Sequence, residues 1–143
     1  MTPADLVGAW ALRSFVVTVS DGRAPLAPLG SDAVGLVTYT AAGWMSAVLS
    51  RSGRGGGEAL ETAARLDASA KAAAFDSYLS YAGRWELVGD EVHHHVVHAL
   101  VPGVVGQRLR RRAALREGVL TLSYERPTRS GHVATYTLRW SRP

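Results

Sequence analysis

The chain has 143 residues, 47% hydrophobic and 20% charged, with a formal net charge of +4. That balance excludes a disordered or fibrous protein and suits one domain, residues 1–143, with a core of its own. Without cysteine there is no disulfide, thiolate nucleophile or cysteine-ligated metal. No apolar run approaches the ~20 residues of a membrane helix. Met1–Ala9 also lacks the pattern of a secretory leader, so a cytoplasmic protein with no membrane partner is expected.

The first element is a strand from Trp10 to Val19, rich in β-branched and aromatic residues and closed by Asp21-Gly22. Alternation places Trp10, Leu12, Ser14 and Val16 on one face. Val34–Thr40 and Trp44–Leu49 read as strands two and three, joined by a turn around Ala42-Gly43. Arg51–Glu58 is Gly-rich and reads as a flexible loop, a candidate gate. Ala59–Tyr81 is Ala-rich without Gly or Pro and predicts a helix. Leu66, Ala70, Ala73, Ala74, Ser77, Tyr78 and Tyr81 share one face of it, and Gly83 stands where a terminator would.

Strands resume at Trp85–Val88, Glu91–Val101, Gln107–Leu115, Val119–Glu125 and Val133–Trp140. Gly89-Asp90, Pro102-Gly103, Glu117-Gly118 and Ser130-Gly131 separate them. About eight short strands joined by tight turns predict an all-β, antiparallel up-and-down barrel with one helix between strands three and four. Eight strands enclose room for one small ligand.

Alternation turns Gln107, Leu109, Arg111, Ala113 and Leu115 inward, with Arg108, Arg110 and Arg112 outward. An arginine on the apolar face needs a partner or a route to the rim, because a buried lone guanidinium is costly. The other arginines have no interleaved aromatics, so nucleic acid is not an expected partner. Leu120, Leu122 and Tyr124 face inward on the next strand, and Ala134, Tyr136, Leu138 and Trp140 on the last.

Four of the five histidines lie together as His93, His94, His95 and His98. His93 and His95 share one face, His94 and His98 the other. Two histidines two apart can chelate Zn²⁺, yet a third ligand is wanting, with only His132 and Glu91 as candidates. No metal is therefore expected. Acid–base work inside a pocket and simple hydrogen bonding within the barrel are the other readings for His94 and His95.

Leu6-Val7-Gly8-Ala9-Trp10 resembles the opening Gly-x-Trp signature of the lipocalin-like domain family of small bacterial and fungal barrels. The resemblance continues through Pro28–Gly35, Tyr39–Ser46, Ala73–Gly83, the paired His94-His95 and Gly118–Ser123. Arg111 matches the family's arginine after the histidine strand. The family's Pro-Asn-Trp is replaced here by Pro102-Gly103-Val104, which implies a differently shaped pocket. The resemblance also implies that a late arginine, Arg139 or Arg142, packs over Trp10.

Related barrels serve as natural-product cyclases or isomerases and as carriers, which leaves two expectations open. One is a cofactor-independent cyclase or isomerase of secondary metabolism that folds a hydrophobic substrate inside the barrel. It would use His94 or His95 as acid–base and Arg111 as oxyanion partner. Tyr39, Trp44, Tyr78, Tyr81, Trp85, His98, Gln107, Tyr124 and Tyr136 would line or cap the pocket, with the helix as lid. The alternative is a non-catalytic binding protein for a hydrophobic small ligand. A heme barrel with a histidine axial ligand is a third, weaker reading. The sequence leaves the oligomeric state open, a homodimer included.

Overall fold

A computed structural model describes residues 1–54 and 66–143. The strands are β1 (Gly8–Val19), β2 (Val34–Tyr39), β3 (Trp44–Ser50), β4 (Tyr78–Val88), β5 (Glu91–Ala99), β6 (Arg108–Arg116), β7 (Val119–Pro127) and β8 (Val133–Ser141). Each pairs antiparallel with the next, and β8 returns to β1 to close the barrel. The closed up-and-down barrel expected from the strand spacing is what forms. Among the described residues the longer helix, α2 (Ala68–Asp76), lies between β3 and β4; a short α1 (Pro3–Leu6) precedes β1.

The expected helix over Ala59–Tyr81 is corrected. Its first part lies outside the described residues, as does the second half of the Gly-rich stretch. The described helix, Ala68–Asp76, is capped by Asp67, whose side chain accepts from the Ala70 N–H, and by Ser77. Tyr78 and Tyr81 belong to β4, where Ser50 faces Tyr78 and Ala47 faces Tyr81. Helical spacing of the apolar residues lost to β pairing: the segment hydrogen-bonds along β3, and aromatic side chains fit a half-buried sheet on either face. The helix buries none of its residues, so its apolar face has no core to join.

Two bulges redirect side chains that simple alternation misplaces. In β1 the register slips between Leu12 and Ser14. Trp10 is buried, but beyond the slip it is Phe15 that reaches the core cluster and Val17 that is buried. The expected inward pair Ser14 and Val16 is therefore wrong by one residue. In β4–β5 the register slips between Ala82 and Gly83, so Val96 stays buried while His98 turns out to solvent. Gly83 is needed there: a Cβ on it would stand 1.9 Å from the His95 carbonyl oxygen. It is a close-approach glycine inside a strand, not a helix terminator.

One end of the barrel is plugged. Trp10 and Trp140, each 2% exposed, pack with Leu6 and Leu120, both fully buried. The Trp10 indole donates to the Leu6 carbonyl at 2.8 Å. Arg142 stacks on the Trp10 ring at 3.8 Å, so of the two candidate arginines it is Arg142 that covers the plug. Gly8 explains the Gly-x-Trp spacing. Its φ is +116°, and a Cβ there would meet the Arg142 guanidinium at 2.6 Å.

Candidate open-end cavity

The other end carries a cavity of about 170 Å³. Its apolar wall comes from Phe15 on β1, Leu49 on β3, Leu79 on β4, Leu109 on β6 and Leu138 on β8, with Val101 and Val104 at the mouth. The Pro102–Val104 segment forms a 3₁₀ turn. Val104, the last residue of that turn, thus shapes the mouth together with Val101 just before it. Polar groups are few: Ser80, Tyr81, Arg111, Tyr124 and Arg126.

Below the cavity sits a buried relay. His94 is 1% exposed. The Tyr39 hydroxyl lies 2.9 Å from its Nε2 and the Tyr81 hydroxyl 2.9 Å from its Nδ1. A neutral imidazole donates from one nitrogen and accepts at the other, so it satisfies both hydroxyls. Burial, aided by the positive charge of Arg111, pushes the His94 pKa down to about 3. His94 is therefore neutral at physiological pH. Burial raises the Tyr39 hydroxyl well above its ordinary value and Tyr81 and Tyr124 less far, while Arg111 opposes all three shifts. Tyr81 lines the cavity and so connects the relay to it.

Arg111 lies over the Tyr124 ring at 3.9 Å, and that ring stacks on Tyr136 at 4.6 Å between centroids. Its Nη1 donates to the Arg110 carbonyl at 2.9 Å. The inward face read for β6 holds from Leu109 to Leu115 but not for Gln107, which precedes the strand and is exposed, and stacking on Tyr124 is how the barrel accommodates the odd arginine.

A model of the lipocalin-like domain matches residues 7–143. The chain belongs to the lipocalin-like domain family. No curated protein matches it. The crystal structure of an uncharacterized protein from Bacteroides eggerthii aligns over 94% of this chain and 98% of that one, at 15% identity and a TM-score of 0.44.

Within this lipocalin-like barrel the candidate residues fall into three groups. Tyr81, Arg111 and Tyr124 line the cavity. His94, Tyr39, Trp85 and Tyr136 lie behind its walls. The Trp85 ring sits 4.8 Å from Tyr39, and its indole donates to the Thr40 carbonyl. The remaining five are not brought to the cavity. His95 stands on the outer face with its Nε2 2.9 Å from Glu86 Oε1, since its neighbour His94 takes the inward position. His98 is turned out by the bulge. Trp44 is exposed beneath Arg84 at the plugged end. Tyr78 lies against Arg54, and the exposed Gln107 donates to the Gly103 carbonyl. No residue of α2 lines the cavity, so the helix is not placed as its lid.

The wall residues missed at first carry readable signals in part. Arg126 shares the face of Tyr124 one step beyond the expected strand end, and Leu109 and Leu138 lie on faces already read as inward. Phe15 had none, because only the bulge turns it in.

His93, though buried on the outer face, bonds Glu91 at 2.9 Å. Among the described residues no group of three or more His, Asp or Glu side chains is arranged to hold a metal ion. Among them, too, no helix is long and apolar enough to cross a membrane.

Proposed function

We propose that this protein binds a small, mainly apolar molecule in the open end of its barrel. The observation that carries the reading is the cavity itself: leucine and phenylalanine walls, one plugged end, and a few convergent polar groups. Its volume is close to that of cavities that take up a single aromatic ring. A larger ligand would leave part of itself at the mouth between Val101 and Arg126. Tyr81, Arg111 and Tyr124 would orient the guest, and Tyr39 and His94 would hold Tyr81 in place.

Titration with the neutral dye N-phenylnaphthylamine tests this. Fluorescence should rise saturably, to one dye per chain. Leu138→Trp, which fills the cavity, should abolish the rise while leaving the melting temperature near that of the parent. A rise that survives Leu138→Trp would contradict the assignment.

One observation favours a catalytic reading of the same pocket, the cyclase or isomerase. Tyr81 lines the cavity and its hydroxyl is backed by a neutral imidazole. It could donate a hydrogen bond to a substrate carbonyl beside Arg111, stabilising a developing oxyanion. His94 would then act through Tyr81 and not on the substrate directly, and His95 would take no part. Under this reading Tyr81→Phe removes turnover of a candidate substrate but leaves its binding within severalfold; under simple binding no substrate is turned over by either protein.

A further inference from the structure

Resting on the binding reading above, we propose that the cavity selects an acid: a small monocarboxylic acid whose apolar body fills the hollow while its carboxylate meets Arg111, with Arg126 at the mouth. The argument starts from charge. The cavity wall holds two arginines and no aspartate or glutamate. Two outward arginines of the same strand do have acidic partners: Arg108 with Glu86 at 2.8 Å and Arg112 with Asp90 at 3.8 Å. Among the described residues neither Arg111 nor Arg126 forms an ion pair. Arg110 and Arg116 are also unpaired among the described residues, but they point outward into solvent; Arg111 is the unmatched cation of the strand that points inward, where an uncompensated charge costs most.

The geometry of Arg111 fits an acceptor from the lumen. Its guanidinium lies against the Tyr124 ring, and one Nη1 bond goes to the Arg110 carbonyl. Stacking uses the flat face and leaves donors on the edge, the side on which a carboxylate is held by paired N–H···O bonds. The positive field of Arg111 is felt by Tyr39, Tyr81, Tyr124 and His94 alike, and no lumen carboxylate answers it.

The relay supplies a second donor. If Tyr39 donates to His94 Nε2, the Nδ1–H of His94 donates to the Tyr81 oxygen, and the Tyr81 proton is left to point into the lumen. Tyr81 and Arg111 would then both donate to one carboxylate. Size narrows the body of the acid: about 170 Å³ suits a benzene ring or a short aliphatic chain, not a steroid or a long-chain lipid.

The test is a matched pair of probes, para-ethylbenzoate and para-ethylbenzyl alcohol, titrated calorimetrically near neutral pH. The acid should bind at least about tenfold more tightly, the size of a charge-assisted hydrogen bond. Arg111→Met should remove that preference by weakening the acid alone, and Arg111→Lys should keep part of it. Equal affinity of acid and alcohol in the parent protein overturns the acid preference but leaves the cavity reading standing. A preference that persists in Arg111→Met overturns the role of Arg111. If neither probe binds and the neutral dye also fails, the cavity reading falls and this proposal with it. The parent comparison needs no variant, so it decides even where Arg111→Met does not fold.

Discussion

The two ends of the barrel solve the same problem in opposite ways. Each has an arginine stacked on an aromatic ring, Arg142 on Trp10 and Arg111 on Tyr124, at nearly equal distance. At the plugged end the guanidinium sits outside, donating to the Asp5 and Ala9 carbonyls, and the space beneath it is filled by Trp10, Trp140, Leu6 and Leu120. At the open end the guanidinium sits on the inner wall, and the space beside it is empty. The difference lies in what fills the lumen. Two indoles and two leucines make a core, whereas the leucine, phenylalanine and tyrosine side chains around Arg111 do not meet across the lumen and leave a hollow. Stability should therefore reside at one end and recognition at the other.

Substitution at the plug should give the largest stability change. Trp10→Ala empties a fully packed site and removes the Leu6 bond and the Arg142 stack, so about 3–5 kcal/mol should be lost in urea unfolding. If that loss were matched by Leu138→Ala at the open end, the contrast between core and hollow would disappear. Leu138 borders empty space, so its removal should cost less, at the low end of the ~2–5 kcal/mol seen for buried leucines.

Acid should sharpen the comparison from the cavity side. His94 titrates at about 3 in the folded protein against 6.5 for an ordinary histidine. Between those values the unfolded chain binds a proton that the native state refuses. Native stability is then fully present above pH 6.5 and falls as pH drops toward 3, by up to about 1.4 kcal/mol per pH unit. His94→Gln should flatten that slope in denaturation curves taken across the window. An unchanged slope would mean that the imidazole is not buried as described.

Arg142→Met, which keeps the aliphatic stem and removes the charge over Trp10, should cost about 0.5–2 kcal/mol and leave dye binding intact. The smallest effect belongs to His95→Ala. Its ring is partly exposed and shares Glu86 with Arg108, so under about 1 kcal/mol should be lost. Any loss of ligand affinity in that variant would restore His95 to the site.

Much of the fold was legible because strand periodicity and turn residues are local. Gly8-Ala9-Trp10 marked the plug, and the alternation of Gln107–Leu115 identified Arg111 as facing inward. The failures share a physical cause. Bulges at Leu12–Ser14 and Ala82–Gly83 reverse alternation, and they are set by tertiary closeness, such as the 1.9 Å clearance at Gly83, which leaves no trace in hydrophobic pattern. The same limit moved Tyr78 and Tyr81 from helix to strand, since only pairing with Ser50 and Ala47 decides between two periodicities that both fit. The histidine cluster did not show which ring turns inward. That it is His94 and not His95 rests on the convergence of Tyr39 and Tyr81 on one ring.

The most direct test is a methyl and amide NMR titration of the parent protein with para-ethylbenzoate. Saturable shifts should appear at Leu49, Leu109, Leu138 and Tyr81, while Leu6, Trp10, Leu120 and Trp140 stay still. Shifts centred on the plugged end, or none anywhere at saturating acid, would contradict a ligand site in the open half of the barrel.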